Sequence, residues 1–215
     1  MNTDLMHDVT FYVMYGALAI AVFIIIERSL YFTYVRKQAA RLLAQLTPAV
    51  QNERGLSEEV TARKSLPMDM VREVLKQKHA GGSRKDLDDV VETQYLASRA
   101  PLARSLWIVE TIVTAAPLLG LLGTILGIID TFKALASAGV SDPGQISAGI
   151  GTALYATGLG IAIALFCVVF HNLFQDRLER INDQLKMLLI RASMGARVTA
   201  PAELTPVQAP HYRTA

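Results

Sequence analysis

The sequence predicts an all-α integral membrane protein with three transmembrane helices. Two segments carry most of that prediction: 111–129 and 145–175 contain no Asp, Glu, Lys or Arg yet are crowded with Gly, Ala and Thr. Val9 to Ile26 is a third charge-free run, closed by Glu27 and Arg28. The hydrocarbon core of a bilayer is about 30 Å thick, and an α-helix needs roughly 20 apolar residues to cross it. In 215 residues that are 52% hydrophobic and 19% charged, three such runs exceed what a soluble core would bury.

The elements follow in chain order. Residues 1–8 are expected outside and 9–33 as the first span. That span is expected to be retained, because 1–8 contain no Lys or Arg and the apolar run ends in Ile-Ile-Ile-Glu-Arg, without the basic start and small-residue cleavage site of a secretory signal. Of the 21 basic residues none precedes the first span, 14 lie from Arg28 to Arg104, Lys133 follows the second span and six follow the third. Since Lys and Arg are retained on the cytoplasmic side during insertion, the N-terminus is expected outside and the C-terminus inside. The long inner segment, 34–105, is predicted as two or three helices broken at Pro48, Pro67, Gly81-Gly82-Ser83 and Pro101. Ser83 suits a helix cap, with Asp86, Asp88 and Asp89 near the positive end of the dipole. At Pro101 the helix must kink or give way to a new one.

The second span is placed at 106–133, a short outer connection at 134–146 and the third span at 147–171. A helical extension, 172–197, carries Phe174, Leu178, Ile181, Leu185 and Leu188 at steps of four and three. Two arrangements suit that coiled-coil spacing: self-association, or packing on the chain's own loop helices. Residues 198–215, with Pro201, Pro206 and Pro210 and little to build a core, are expected to be disordered.

Small residues stand at Gly120, Gly123, Thr124 and Gly127 in the second span, and at Ala148, Thr152, Ala156, Gly160 and Ala164 in the third. Such stripes let backbones approach where the hydrophobic effect cannot drive association. Pro117 is tolerable there because neighbouring helices and Thr side chains can satisfy the carbonyl it frees. Thr124 and Thr157 each lie about 21 Å along their helices from an inner flank, at Glu110 and His171 respectively. Their hydroxyls either bond back to the preceding turn or, with several copies around an axis, line a shared polar lumen. No acid stands in mid-membrane, where one would mark a proton relay; Glu27, Glu110 and Asp130 fall near span ends.

Other chemistry is not expected. The four histidines are scattered, no metal-ligand spacing occurs, and the Gly-rich runs lack the Gly-Lys-Ser/Thr of a phosphate loop. The one cysteine, Cys167, excludes an intrachain disulfide and is expected as a lipid-facing or packed apolar residue. Neither a cofactor nor an enzymatic activity is predicted. A net charge of +2, with the loop's basic residues matched by acids, gives no nucleic-acid surface. The residues alone leave two classes open, an energy-transducing ion channel and a membrane scaffold that does not conduct.

The run Ala116-Pro117-Leu118-Leu119-Gly120-Leu121-Leu122-Gly123-Thr124-Ile125-Leu126-Gly127-Ile128-Ile129, with Phe132 after it, resembles the MotA/TolQ/ExbB proton-channel proteins. So does Ala153-Leu154-Tyr155-Ala156-Thr157-Gly158-Leu159-Gly160. Three spans rather than four in a short chain are similar to the ExbB/TolQ branch rather than the flagellar stator; within that branch the chain is taken as most like ExbB, with TolQ of the Tol-Pal envelope system as the alternative. The resemblance implies a homopentameric ring in the bacterial inner membrane, N-terminus periplasmic. Its second and third helices would surround an ExbD-like single-span partner whose membrane Asp carries the proton, energising a TonB-like transducer and transport across the outer membrane. It implies a pore lined by Thr124 and Thr157, with Thr152 on the same path. Packing would fall to Pro117, Gly120, Gly123, Gly127, Ala156 and Gly160. Many ExbB and TolQ proteins have Glu where this chain has Thr152, so the acid must come from another polypeptide.

Overall fold

The computed structural model describes residues 3–46, 55–62, 64–81, 83–138 and 143–194. They form α1 (Thr3–Gln45), α2 (Glu58–Thr61), α3 (Leu66–His79), α4 (Arg84–Ala103), α5 (Leu106–Ala138) and α6 (Pro143–Ser193). Three of these, α1, α5 and α6, are long and apolar enough to cross a membrane. The 51 residues of α6 rise about 77 Å at 1.5 Å each, more than twice the hydrocarbon thickness, so much of this helix lies beyond it. The expected disordered tail falls outside the described residues. So does part of the outer connection: α5 continues to Ala138 and α6 begins at Pro143, which leaves four residues between them rather than thirteen.

Contacts divide the chain into two compact units, 1–37 with 97–184 and 38–96 with 185–215. The first is a packing of α1, α5 and α6. Met14, Ala21 and Ile24 of α1, Val109, Ile112 and Ala116 of α5, and Ile163 and Cys167 of α6 form its core. Cys167 is thus a packed apolar residue. Around that core the outward faces are apolar as well: Tyr12, Phe23, Trp107, Leu118, Leu154 and Leu165 are all exposed. A surface of this kind suits lipid or further helices and is foreign to water.

Of the kink or new helix expected at Pro101, the second is found two residues on. Pro101 lies inside α4, which runs on to Ala103 before a turn at Arg104 and Ser105, where Ser105 takes a positive φ of 67°. Pro101 carries one of the last carbonyls of α4, and Arg28 of α1 donates to it from Nη1 at 3.2 Å. Such a contact satisfies a helix-terminal oxygen with a cation. Arg28 is itself buried; it stands 2.8 Å from Glu27 as an ionic contact without hydrogen-bond alignment and lies over the Tyr31 ring. This α4–α1 bond therefore ties down the last turn of α4.

In the second unit Ser83 and Asp86 cap α4 reciprocally: Ser83 N–H donates to Asp86 Oδ2 at 2.9 Å and Asp86 N–H to Ser83 Oγ at 3.3 Å. Met68, Val71, Val74 and Leu75 of α3 are buried in this unit along with Leu185, Leu188, Leu189 and Ala192 of α6. The lower part of the apolar stripe is therefore covered by the chain's own residues, the second of the two arrangements open to the sequence. Lys78 ends α3 beneath this layer. Its Nζ donates to the carbonyls of Ala192 at 3.2 Å and Met194 at 2.5 Å, closing the C-terminal turn of α6.

Burial holds the Lys78 ammonium below the usual lysine range. Between its folded pKa and the ordinary lysine value the unfolded chain binds the proton more readily, so the contribution of Lys78 to stability rises as pH climbs through that window. Lys78→Met should flatten this alkaline rise and, by leaving two carbonyls unpaired, cost about 2 kcal/mol at neutral pH. Thermal unfolding followed by helical circular dichroism across a pH series checks both effects.

Candidate functional site

The site begins with the contact of α5 on α6, and that contact is made by residues without side-chain bulk. A Cβ placed on Gly120 would stand 2.9 Å from the Ala156 carbonyl oxygen and 3.0 Å from Thr157 Cα; one on Gly160 would stand 2.5 Å from the Ala116 carbonyl oxygen and 3.0 Å from Gly120 Cα. Gly123 and Gly127 abut the methyl groups of Ala156 and Ala153 in the same way, at 2.7 and 2.9 Å. All the glycines assigned to packing, together with Ala156, meet within one chain. Pro117 sits half-buried inside α5 and frees the Val113 carbonyl, while Thr114 donates to Thr111 instead, at 2.9 Å.

The contacting face of α6 differs from the every-fourth-residue stripe. Ala153, Ala156, Gly160, Ile163 and Cys167 are buried, whereas Ala148 and Thr152 are exposed. A repeat of four overshoots the 3.6-residue turn by about 40° each step, so three steps before Gly160 the stripe has swung a third of the way round the helix. The alternating three-four spacing holds its face.

Close approach at Gly120 brings two hydroxyls together. Thr124 Oγ1 donates to the Gly120 carbonyl four residues back, at 3.0 Å, and Thr157 Oγ1 reaches across from α6 to the same carbonyl at 3.1 Å. The hydroxyls also contact each other at 2.5 Å. Sequence spacing places these threonines at equal depth, and the fold joins them into one triangle of oxygens, half-buried on the α5–α6 seam. Three short contacts share only two hydroxyl protons, so the triangle keeps spare acceptor capacity and lacks a donor. A water or a protonated acid from outside the chain matches that need. Thr152 is not part of it. Its hydroxyl donates to Ala148 at 2.6 Å, and it stands about 7.5 Å further along α6.

Thr152 instead lines a second polar place, a cleft of ≈ 370 Å³ bounded by His7 and Asp8 of α1, Gly127, Asp130, Thr131 and Ala134 of α5, and Gly149 of α6. His7 and Asp130 go unnoticed in the sequence because one reads as a scattered histidine and the other as an ordinary interfacial acid. Local spacing offers one faint signal, that Asp130 lies one turn beyond a packing glycine.

Apolar helices built to pack through small residues, with paired hydroxyls on the seam, define a multi-pass helical membrane protein that presents oxygen acceptors at depth. Residues 62–187 match the MotA/TolQ/ExbB proton channel family, and the chain belongs to it. It is 32% identical over 117 residues to a biopolymer transport protein ExbB homolog of Methanothermobacter thermautotrophicus, covering 54% of this chain and 41% of that protein. With an ExbB-like protein of Synechocystis it shares 29% identity over 165 residues, 75% of this chain and 78% of the relative. With the biopolymer transport protein ExbB of Aquifex aeolicus it shares 38% over 71 residues, 33% and 48%. The match thus spans less than half the length of the first and third of these proteins.

Gly160→Ala should cost about 1 to 3 kcal/mol, because its new methyl meets backbone that no side chain can move aside. Gly158→Ala, with nothing within 4 Å of the added carbon, should be tolerated. Thermal melting of the two variants in the same detergent compares them directly.

Proposed function

We propose that this chain is the channel-forming subunit of an ExbB-type energy transducer in the inner membrane. Five copies form a ring, N-termini periplasmic, and enclose the membrane helices of an ExbD-like partner. A membrane Asp on that partner binds and releases the proton. Proton flow then moves the partner and, through a TonB-like protein, energises transport across the outer membrane. The chain itself performs no catalysis.

The oxygen triangle of Gly120, Thr124 and Thr157 carries this reading. It offers acceptors and no donor, in a segment that contains no acid from Thr111 to Ile129 or from Gln145 to Gln175. A protonated carboxylic acid on an inserted helix is a donor of the right kind, and a carboxylate is not. Such a seam would hold the neutral form of the partner's Asp in the membrane and leave the charged form to be stabilised elsewhere, which couples protonation to position. Its relatives named for ExbB favour the ExbB role over the TolQ role.

Reconstitution in liposomes with the ExbD-like partner tests the proposal. Proton uptake should require both proteins and vanish when the partner's Asp is changed to Asn; Thr157→Val should lower it by roughly tenfold, the rate equivalent of one hydrogen bond. A non-conducting scaffold predicts no partner-dependent flux, and flux that survives the Asp change would end the proposed division of labour.

A further inference from the structure

The cleft at the other end of the seam holds two polar atoms that the fold leaves without partners. His7 Nε2 and Asp130 Oδ1 are shielded from solvent, and neither has a hydrogen bond among the described residues. Buried polar atoms are paired in the great majority of cases, so two orphans lining one cleft require a hydrogen-bonding ligand. Its size and polarity suit several waters.

Each wall limits what that ligand can be. Thr131 Oγ1 donates to Gly127 at 2.8 Å and Thr152 Oγ1 to Ala148 at 2.6 Å, so both hydroxyls spend their protons on their own helices and turn lone pairs outward. Asp8 and Asp130 add carboxylate oxygens. A Cβ on Gly127 would stand 3.4 Å from His7 Nε2, and one on Gly149 would collide with Thr131 Oγ1, so glycines keep the floor open. His7 rests edge-on against Phe11 with centroids 5.0 Å apart, and Phe11 stacks on Tyr155, which gives the cleft an aromatic base.

Among the described residues that line the cleft with His7 the charged groups are Asp8 on α1 and Asp130 on α5, with Lys133 one turn beyond Asp130 along the chain; α6 contributes no Asp, Glu, Lys or Arg up to Gln175. Among the described residues no three His, Cys, Asp or Glu gather as metal ligands. The cleft therefore collects acceptors around one imidazole, with acids in excess, and its matching guest is a proton carried on water.

We propose that His7 and Asp130, bridged by water, form an outer proton-collecting station that feeds the threonine triangle. This step rests on the channel function above and adds a loading group that belongs to this chain. Asp130 lies six residues from Thr124, about 9 Å along α5, the distance that waters of the assembled complex would have to bridge. A proton taken from the outer solution onto His7 or Asp130 leaves on a water molecule for the partner's carboxylate, and the station returns to its starting charge.

The test uses the complex reconstituted with its partner, comparing wild type, Asp130→Asn, His7→Gln and Asp130→Glu. Outer pH is set at about 8 and about 5.5, either side of the range in which imidazole changes charge. At the higher pH, where protons are scarce, Asp130→Asn and His7→Gln should lower flux about tenfold, the amount by which one good hydrogen bond changes a rate. At the lower pH the loss should shrink to less than about threefold, since bulk supply suffices, and Asp130→Glu should keep most of the wild-type flux at both. An equal loss at both pH values, no loss, or flux that follows sodium would overturn the station.

Infrared spectroscopy of the chain alone in bilayers separates this from the channel proposal. A band of hydrogen-bonded water that is present in the wild-type chain and missing in Asp130→Asn supports the station even where the complex conducts nothing. The same band in both proteins refutes it. Helical circular dichroism of each variant excludes misfolding as the source of a lost signal.

Discussion

The contact of α5 and α6 at Gly120 and Gly160 is the constraint from which the rest of the first unit follows. Inside a bilayer the two helices gain nothing by hiding apolar surface, since lipid tails are as apolar as leucine. They gain by close packing of many atoms, and that requires backbone within reach of backbone. With Cα of Gly120 only 3.0 Å from where a Cβ of Gly160 would stand, the carbonyl of Gly120 becomes available to a hydroxyl on the facing helix. Thr157 takes it. Any larger residue at either position would part the helices and separate the three oxygens together.

That geometry also decides which features the sequence could and could not reveal. The spans are legible because each depends on an uninterrupted local run, and the Ser83 cap because its partner, Asp86, lies three residues away. The depth of Thr124 and Thr157 follows from counting along two helices. Their bond does not, because it depends on the rotation of α6, and the four-residue stripe gives that rotation wrongly at its outer end. Local rules also favour a break at Pro101. The helix ends two residues later, and the partner of its last turn, Arg28, is distant in sequence and drawn in by folding. Lys78 is hidden for the same reason: in the polar run Lys76-Gln77-Lys78-His79 it reads as a surface charge, and only the arrival of the end of α6 buries it against the carbonyls of Ala192 and Met194.

The polar groups of the first unit are graded along the helices. Arg28, buried with its charge satisfied by Glu27, Tyr31 and the Pro101 carbonyl, secures the end where basic residues crowd. The hydroxyl triangle lies deeper, neutral and bonded within itself. His7 and Asp130 occupy the opposite end, titratable and unpaired. Charge is thus confined to the two ends, and the middle holds only groups that bond a proton without carrying one. A fixed ion at the Thr124 level would be costly in hydrocarbon and would hold an approaching proton too firmly.

The same gradation explains why such a chain cannot complete proton transfer unaided. A hydroxyl exchanges one hydrogen bond for another, but it does not store a proton between one event and the next near neutral pH. Storage needs an acid or an imidazole, and between Thr111 and Ile129 and again from Gln145 to Phe170 there is neither. Thr152, five residues before Thr157, adds only another hydroxyl. What remains is a surface that prefers a protonated guest to an ionised one. In the proposed complex a guest helix bearing such an acid would be drawn to the seam when neutral and released when charged, and a gradient does mechanical work only through such a difference in affinity.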